Sequence, residues 1–241
     1  MNFLTIALAT AKEAIRQPAF FVLAFLAGNS LIWSIFISYF TFGEEIKMYK
    51  DTGLTTISFA CLLLALLTAS SSIAEEIEGK TAITLLSKPI TRRDFILGKF
   101  VGIELGVLAL YLVLGLLFAA GVWYKFGYDI RETGGGANAD ASKAVGQIFQ
   151  ILPGLALGFF EVTVLAAISV AISTRLPMLV ILVVCIAIFF LGHLTPILVE
   201  VGGKSNELVS FMAQLFQLVL PFLEFFNASP AISTGAVIPW T

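Results

Sequence analysis

The sequence predicts an all-α, polytopic membrane protein with five to six transmembrane helices. Three observations predict it. Of the 241 residues, 59% are hydrophobic and only 12% are charged, against about 25% charged in soluble domains. Mean hydropathy is +0.98. The apolar residues also fall in continuous runs of membrane-crossing length, not in alternation, and each run far exceeds the ~9–11 residues of a barrel strand. One helical unit, residues 1–241, accounts for the whole chain. The net charge of −2 gives no electrostatic footprint for nucleic acid. Cys61 and Cys185 lie inside apolar runs and read as buried thiols, not as a disulfide.

Residues 2–17 place Leu4, Leu8, Ala11 and Ile15 on one helical face and Lys12 and Arg16 near the other, and Pro18 ends the helix. This suits an interfacial helix leading into the first span. Ala9-Thr10-Ala11 mimics a cleavage triplet, but no Lys or Arg precedes it, so a signal peptide is not expected. The spans follow as Gln17–Gly43, Thr52–Ala74, Leu105–Tyr124, Gln147–Ser173 and Leu176–Val199. With the N-terminus inside, eight Lys and Arg residues fall on the cytoplasmic side and six outside. The short loops decide the orientation: the segment after span two is basic, and Arg175 is the sole charge between spans four and five. The expected location is therefore the cell membrane, multi-pass, with a cytoplasmic N-terminus.

Residues 125–146 form an expected external loop whose Gly134-Gly135-Gly136 centre reads as a solvated connector. Residues 204–227 are expected to be a helix or hairpin half-buried in the outer leaflet, because Gln214, Gln217, Pro221 and Glu224 interrupt them. A true sixth span is the alternative. Gly102 and Gly106, and Gly154 and Gly158, have the small-xxx-small spacing that permits close helix approach.

Candidate chemistry is sparse. His193 is the only histidine, and alone it reads as a packed residue. No cysteine or histidine set offers metal coordination, and no nucleophile triad is visible. Glu161 sits near the middle of span four. A mid-span acid costs about 3 kcal/mol on insertion scales, and the fourteen Leu, Ile, Phe and Val residues of that span return about 4–8 kcal/mol. Insertion survives, and Glu161 should face the protein interior or a water-filled path. It is a candidate for the translocation path, with a structural hydrogen bond as the alternative.

The most informative segment is a charged island between spans two and three. It runs Glu75-Glu76-Ile77-Glu78-Gly79-Lys80-Thr81, then the apolar Ala82–Leu86, then Lys88-Pro89-Ile90-Thr91-Arg92-Arg93-Asp94, and ends at Lys99. Eight of the chain's thirty Asp, Glu, Lys and Arg residues lie between Glu75 and Asp94. Glu-Gly-Lys-Thr at 78–81 is not a phosphate loop, since Ala74 stands where its first glycine belongs. An apolar patch framed by charge suits a partner's groove. Pro89 breaks the patch, and Thr91 can cap a helix beginning at Arg92 with Asp94 at its third position.

This island, Glu-Glu-x-Glu-Gly-Lys-Thr followed by Leu-Leu-Ser-Lys-Pro-Ile-Thr-Arg-Arg-Asp-Phe-Ile-Leu-Gly-Lys-Phe, resembles that of the ABC-2 type permeases, the membrane subunits of ATP-binding-cassette transporters. The likeness extends to the first helix, the span layout and Leu220–Asn227. It implies a cytoplasmic coupling helix over 75–98 that docks on a separate ATPase subunit through Glu75, Glu76, Glu78, Gly79, Lys80, Thr81, Leu85, Pro89, Arg92, Arg93 and Asp94. It also implies a second permease copy or a sister permease, ATP and Mg bound only by the ATPase, and no catalysis by this chain itself. A non-transporting scaffold using the same docking site is the alternative. Family members usually place a final span after the Pro-x-x-Glu-x-x-Asn region. The chain stops at Thr241, where that span would begin, so truncation, replacement by 207–227 or a partner's helix is expected to account for it.

Overall fold

Hydropathy marks where a helix meets lipid, and the helices of this protein run well past those limits. The computed structural model describes residues 2–37, 45–78, 91–133, 137–205, 211 and 223–226. Among the described residues six helices form in order: α1 (Asn2–Arg16), α2 (Pro18–Ile37), α3 (Glu45–Glu78), α4 (Arg92–Thr133), α5 (Ala137–Ser173) and α6 (Met178–Ser205), with a 3-10 turn at Leu223–Phe226. Among the described residues no strand forms. Helices α2 to α5 each carry a stretch long and apolar enough to cross a bilayer, and α6 carries a shorter one, Met178–Leu194. At 1.5 Å per residue, α3 and α4 are about 51 and 63 Å long, against a hydrocarbon core of about 30 Å.

The expected connector over 125–146 is therefore corrected. Helix α4 continues to Thr133 and α5 begins at Ala137, leaving only 134–136 between them. Charge at Lys125, Asp129 and Arg131 makes lipid costly for a segment but does not break a helix. Residues 79–90 lie outside the described residues. So do 206–222, apart from Phe211, so the expected outer-leaflet segment is described only at its edges.

Helix α3 is the centre of the bundle and packs against α2, α4, α5 and α6. Ile57, Cys61, Leu64, Ala65 and Ala69 are fully buried along it. It interlocks with α4 through two reciprocal insertions. The Phe118 ring of α4 fills the space over Gly53, and the Tyr49 ring of α3 fills the space over Gly121. The two rings pack against each other at a tilt of 39°, with centroids 5.4 Å apart. Both cysteines are buried free thiols.

Helix α1 packs closely along α4. Gly98, Gly102 and Gly106 make a groove one turn apart along α4. Ile6 lies over Gly98, Thr10 over Gly102 and Ala14 over Gly106, so contacts advance in step and the two helices run parallel. Helix α2 keeps that direction, with Gly28 against Leu117 and the Ile35 carbonyl against Lys125. Gln17 is the bend between them, and Pro18 starts α2 where a missing N–H costs nothing. The small face of α1, Ala7, Thr10, Ala11 and Ala14, is buried in the groove, while Leu4 and Leu8 are 64% exposed and available to lipid.

A Cβ added at Gly102 would sit 2.5 Å from the Thr10 Cβ and 2.6 Å from the Ala7 carbonyl oxygen. Gly102→Ala should therefore destabilise the protein by about 1–3 kcal/mol through overpacking. Gly127→Ala on the same helix meets nothing within 4 Å, and there the gain in helix propensity should leave stability unchanged or raised by about 0.5–1 kcal/mol. Thermal unfolding of the two variants in detergent checks the contrast.

Candidate functional site

The charged island leaves the bundle at the end of α3 and returns at the start of α4. Glu75, Glu76 and Glu78 belong to the last turn of α3, whereas Gly79, Lys80, Thr81, Leu85 and Pro89 lie outside the described residues. Arg92 opens α4, and Arg93 beside it is exposed. Thr91 caps this helix. Its hydroxyl accepts a hydrogen bond from the Asp94 backbone N–H (3.2 Å) and donates to the Asp94 carboxylate (2.8 Å). Asp94 also meets the positive end of the helix dipole.

Both roots of the island are tied to the α1–α2 unit by polar side chains. At the bend, the Gln17 amide donates to the Ser71 hydroxyl (2.9 Å), and its carbonyl lies 3.3 Å from the Thr68 hydroxyl that donates to it. On α4, Lys99 is 4% exposed. Its ammonium donates to the Ser72 hydroxyl at 2.8 Å and lies 3.9 Å from the Glu13 carboxylate of α1. The groove contacts at Gly98 and Gly102 flank Lys99, so the close helix approach brings Glu13 within reach. Helices α1, α3 and α4 thus share one polar knot directly beneath the island.

A second polar layer closes the opposite end of the bundle. Lys125 of α4 is buried, paired with Glu45 of α3 at 3.2 Å and 3.4 Å from the Ile35 carbonyl of α2. Lys50 of α3 is buried and donates to Gln147 and Gln150 of α5. Lys50 falls between the first two expected spans and Lys125 at the start of the expected external loop, and the structure places both inside helix contacts. Lys99 and Lys125 are 26 positions apart on one helix, about 39 Å, which brackets the thickness of a hydrocarbon core.

Glu161 lies between these two layers and is 5% exposed. Its neighbour across the bundle is His193 of α6, whose Nε2 is 3.5 Å from the Glu161 carboxyl. The two line a cavity of about 250 Å³ with Thr55, Ser58, Gly158 and Phe226 among its walls. Gly158 makes room there: a Cβ would meet the Ser58 hydroxyl at 2.6 Å and the Tyr111 hydroxyl at 2.7 Å. One turn away on the α4 side, the Glu104 carboxyl lies 3.0 Å from the Thr163 hydroxyl of α5.

The structure therefore joins Arg93 and Asp94 to one end of the bundle and puts Glu161 in its interior beside a cavity. Sequence reasoning treated His193 as a bland packing residue, and missed Glu13, Gln17, Ser71 and Ser72 altogether. Nothing in spacing pairs residues 27 or more positions apart on different helices. The only available signal was that a mid-span acid and the sole histidine both fall in apolar runs.

A family model described as "ABC-2 family transporter protein" matches residues 5–236. No curated protein matches the chain.

The knot generates a graded expectation. Ser72→Ala removes a hydrogen bond from a buried ammonium and should cost about 1.5–3 kcal/mol. Glu13→Gln removes one partner that is 53% exposed and 3.9 Å away, and should cost no more than about 1 kcal/mol. Urea unfolding in detergent, followed by circular dichroism, measures both.

Proposed function

Because this chain belongs to the ABC-2 transporter family, we propose that it is the permease subunit of an ATP-binding-cassette exporter in the cell membrane, with its N-terminus cytoplasmic. A separate ATPase subunit, which binds ATP and Mg, docks on residues 75–98. Two copies, or one copy with a sister permease, enclose the pathway. The chain performs no catalysis of its own.

The single observation that carries this reading is the polar knot under the island. A segment that only tethers two spans needs no stitching at its roots. Here Gln17 holds Thr68 and Ser71 of α3, and Lys99 holds Ser72 while facing Glu13 of α1. A push on the island therefore reaches three helices at once, and α3 and α4 are continuous rods that carry it to the far side. Packed interfaces of this kind move between discrete arrangements and do not deform gradually. The exposed Arg93 and its neighbour Arg92 sit at the first turn of α4, where an acidic surface on the ATPase would meet them. Helix α1 lies at the cytoplasmic interface, with Leu4 and Leu8 in lipid. Glu161 and its cavity lie along the pathway.

Two predictions separate docking from transmission. Reversing charge at both Arg92→Glu and Arg93→Glu should lower recovery of the ATPase with the affinity-tagged permease by at least about tenfold, equivalent to 1.4 kcal/mol. Wild-type stoichiometry in that double variant sinks the assignment of the dock. Gln17→Ala should leave the ATPase bound but reduce substrate-stimulated ATP hydrolysis in liposomes, since the island then loses one tie to the α1–α2 bend. Unchanged stimulation would show that the bend carries no force.

A further inference from the structure

The pairing of Glu161 with His193 has a chemical consequence that goes beyond transport driven from the cytosol. The His193 Nδ1 lies 3.1 Å from the Phe189 carbonyl oxygen. A carbonyl oxygen only accepts, so Nδ1 carries a hydrogen. In a neutral ring the other nitrogen, Nε2, is then a lone pair. That nitrogen is the one facing the Glu161 Oε1 at 3.5 Å. A carboxylate oxygen and a bare imidazole nitrogen repel each other when held together away from bulk water. One proton between them turns the contact attractive.

We propose that Glu161 and His193 form a binding site for a single proton inside the membrane core, shared between helices α5 and α6 at the wall of the cavity. The proton resides on Nε2, giving imidazolium and carboxylate, or on Oε1, giving imidazole and carboxylic acid. Passing between these states breaks one O–H bond and forms one N–H bond, with no other reactant. Both states leave the pair neutral. Loss of the proton to water leaves it with one negative charge, in surroundings where a net charge is costly.

The neighbours fit this assignment. From α4, the Tyr111 hydroxyl lies against Gly158, one turn from Glu161, and Cys61 of α3 and Glu161 are the titratable groups whose charge acts on it. Glu104 is the next carboxyl, against Thr163. Among the described residues, no lysine or arginine lines the cavity. The cavity of about 250 Å³ has the Thr55 and Ser58 hydroxyls in its walls and room for several waters at about 30 Å³ each, so a proton has a path to the pair. Occupancy by the proton holds α5 and α6 together at this depth. Its loss places a lone charge there and favours a wetter, more open cavity. The site thereby makes the cavity's opening sensitive to pH on the side it faces.

The chain has one histidine, so labelling with ¹⁵N-histidine gives the signals of a single ring. The full chain in lipid nanodiscs, without an ATPase, is the sample, so the result is independent of the permease reading. At neutral pH the expected spectrum has hydrogen on Nδ1 and a second, shared hydrogen at Nε2. In Glu161→Gln the Nε2 signal should move to that of an unprotonated nitrogen while Nδ1 stays in place. Identical ring spectra in the two proteins, or a wild-type ring with a bare Nδ1, would overturn the proposal. Should Glu161→Gln fail to fold, wild type alone decides. On raising pH, the wild-type pair must lose one proton in a single transition, seen as loss of the Nε2 hydrogen to the extent that the proton lies on the ring and as growth of a carboxylate infrared band to the extent that it lies on Oε1. Two separate transitions, or no change in either signal, would equally overturn it.

Discussion

The approach of α1 to α4 along three glycines is the constraint on which the rest of the structure depends. Backbones come this close only where one helix presents no side chain and the other presents small ones, and here Gly98, Gly102 and Gly106 meet Ile6, Thr10 and Ala14 in register. In lipid there is no hydrophobic drive to bring helices together, so the contact must be held by close packing and by polar side chains. The register supplies the second from the first. It sets Glu13 beside Lys99 and leaves Gln17 at the bend to reach Thr68 and Ser71. Without the groove, Lys99 would keep Ser72 but lose its carboxylate neighbour, and the α1–α2 unit would have no fixed position relative to the island.

The bundle handles buried charge in two different ways. Lys99 and Lys125 stand near the ends of a long helix, where a lysine ammonium can lie among hydroxyls, carbonyls and carboxylates while its stem packs in the core. These are end-fastenings between helices, separated by about the thickness of the hydrocarbon core. Glu161 has no such edge to reach, because a glutamate stem is short and the residue sits near mid-depth. Its neutrality has to come from within the membrane, and His193 is placed to supply it. The contrast explains why the two lysines act as structural ties, whereas the carboxyl, lining a cavity, is chemically consequential.

Much of this was legible in the sequence. Continuous apolar runs gave the helical class, and the Thr91–Asp94 spacing gave the start of α4 and its cap, because both are local properties of a few adjacent residues. Pro18 likewise marked the end of α1. What could not be read were the pairings. Gly102 and Gly106 announced a close approach but not that α1 was the partner, and the amphipathic reading put Ala11 with Leu4 and Leu8 where the groove instead buries Ala11 and leaves the leucines outside. The extent of α4 and α5 was misjudged for a different reason. Polarity was taken to end a helix, when it ends only the part of a helix that lipid can solvate. Lys50 and Lys125 were assigned to loops by the same step.

The length of α3 and α4 decides what a movement of the island can do to the bundle. Had α3 ended at Ala74 and α4 begun at the lipid edge, the island would hang from two flexible joints and its movement would dissipate in them. The helices instead continue, α3 to Glu78 and α4 from Arg92. The knot at Lys99 lies on the bundle side of both helix ends. Movement of the island must then tilt or translate rods whose other ends hold Lys50, Tyr49 and Lys125 in the second polar layer. Between the two layers, α3 and α4 present Ser58 and Tyr111 to Gly158, one turn from Glu161. A shift of the rods is therefore felt first at the position where α5 and α6 are joined by a single pair of ionisable groups and not by packing alone. The mechanical and the chemical elements of the bundle converge on that layer because the rod-like core there adjoins the cavity that Glu161 and His193 line.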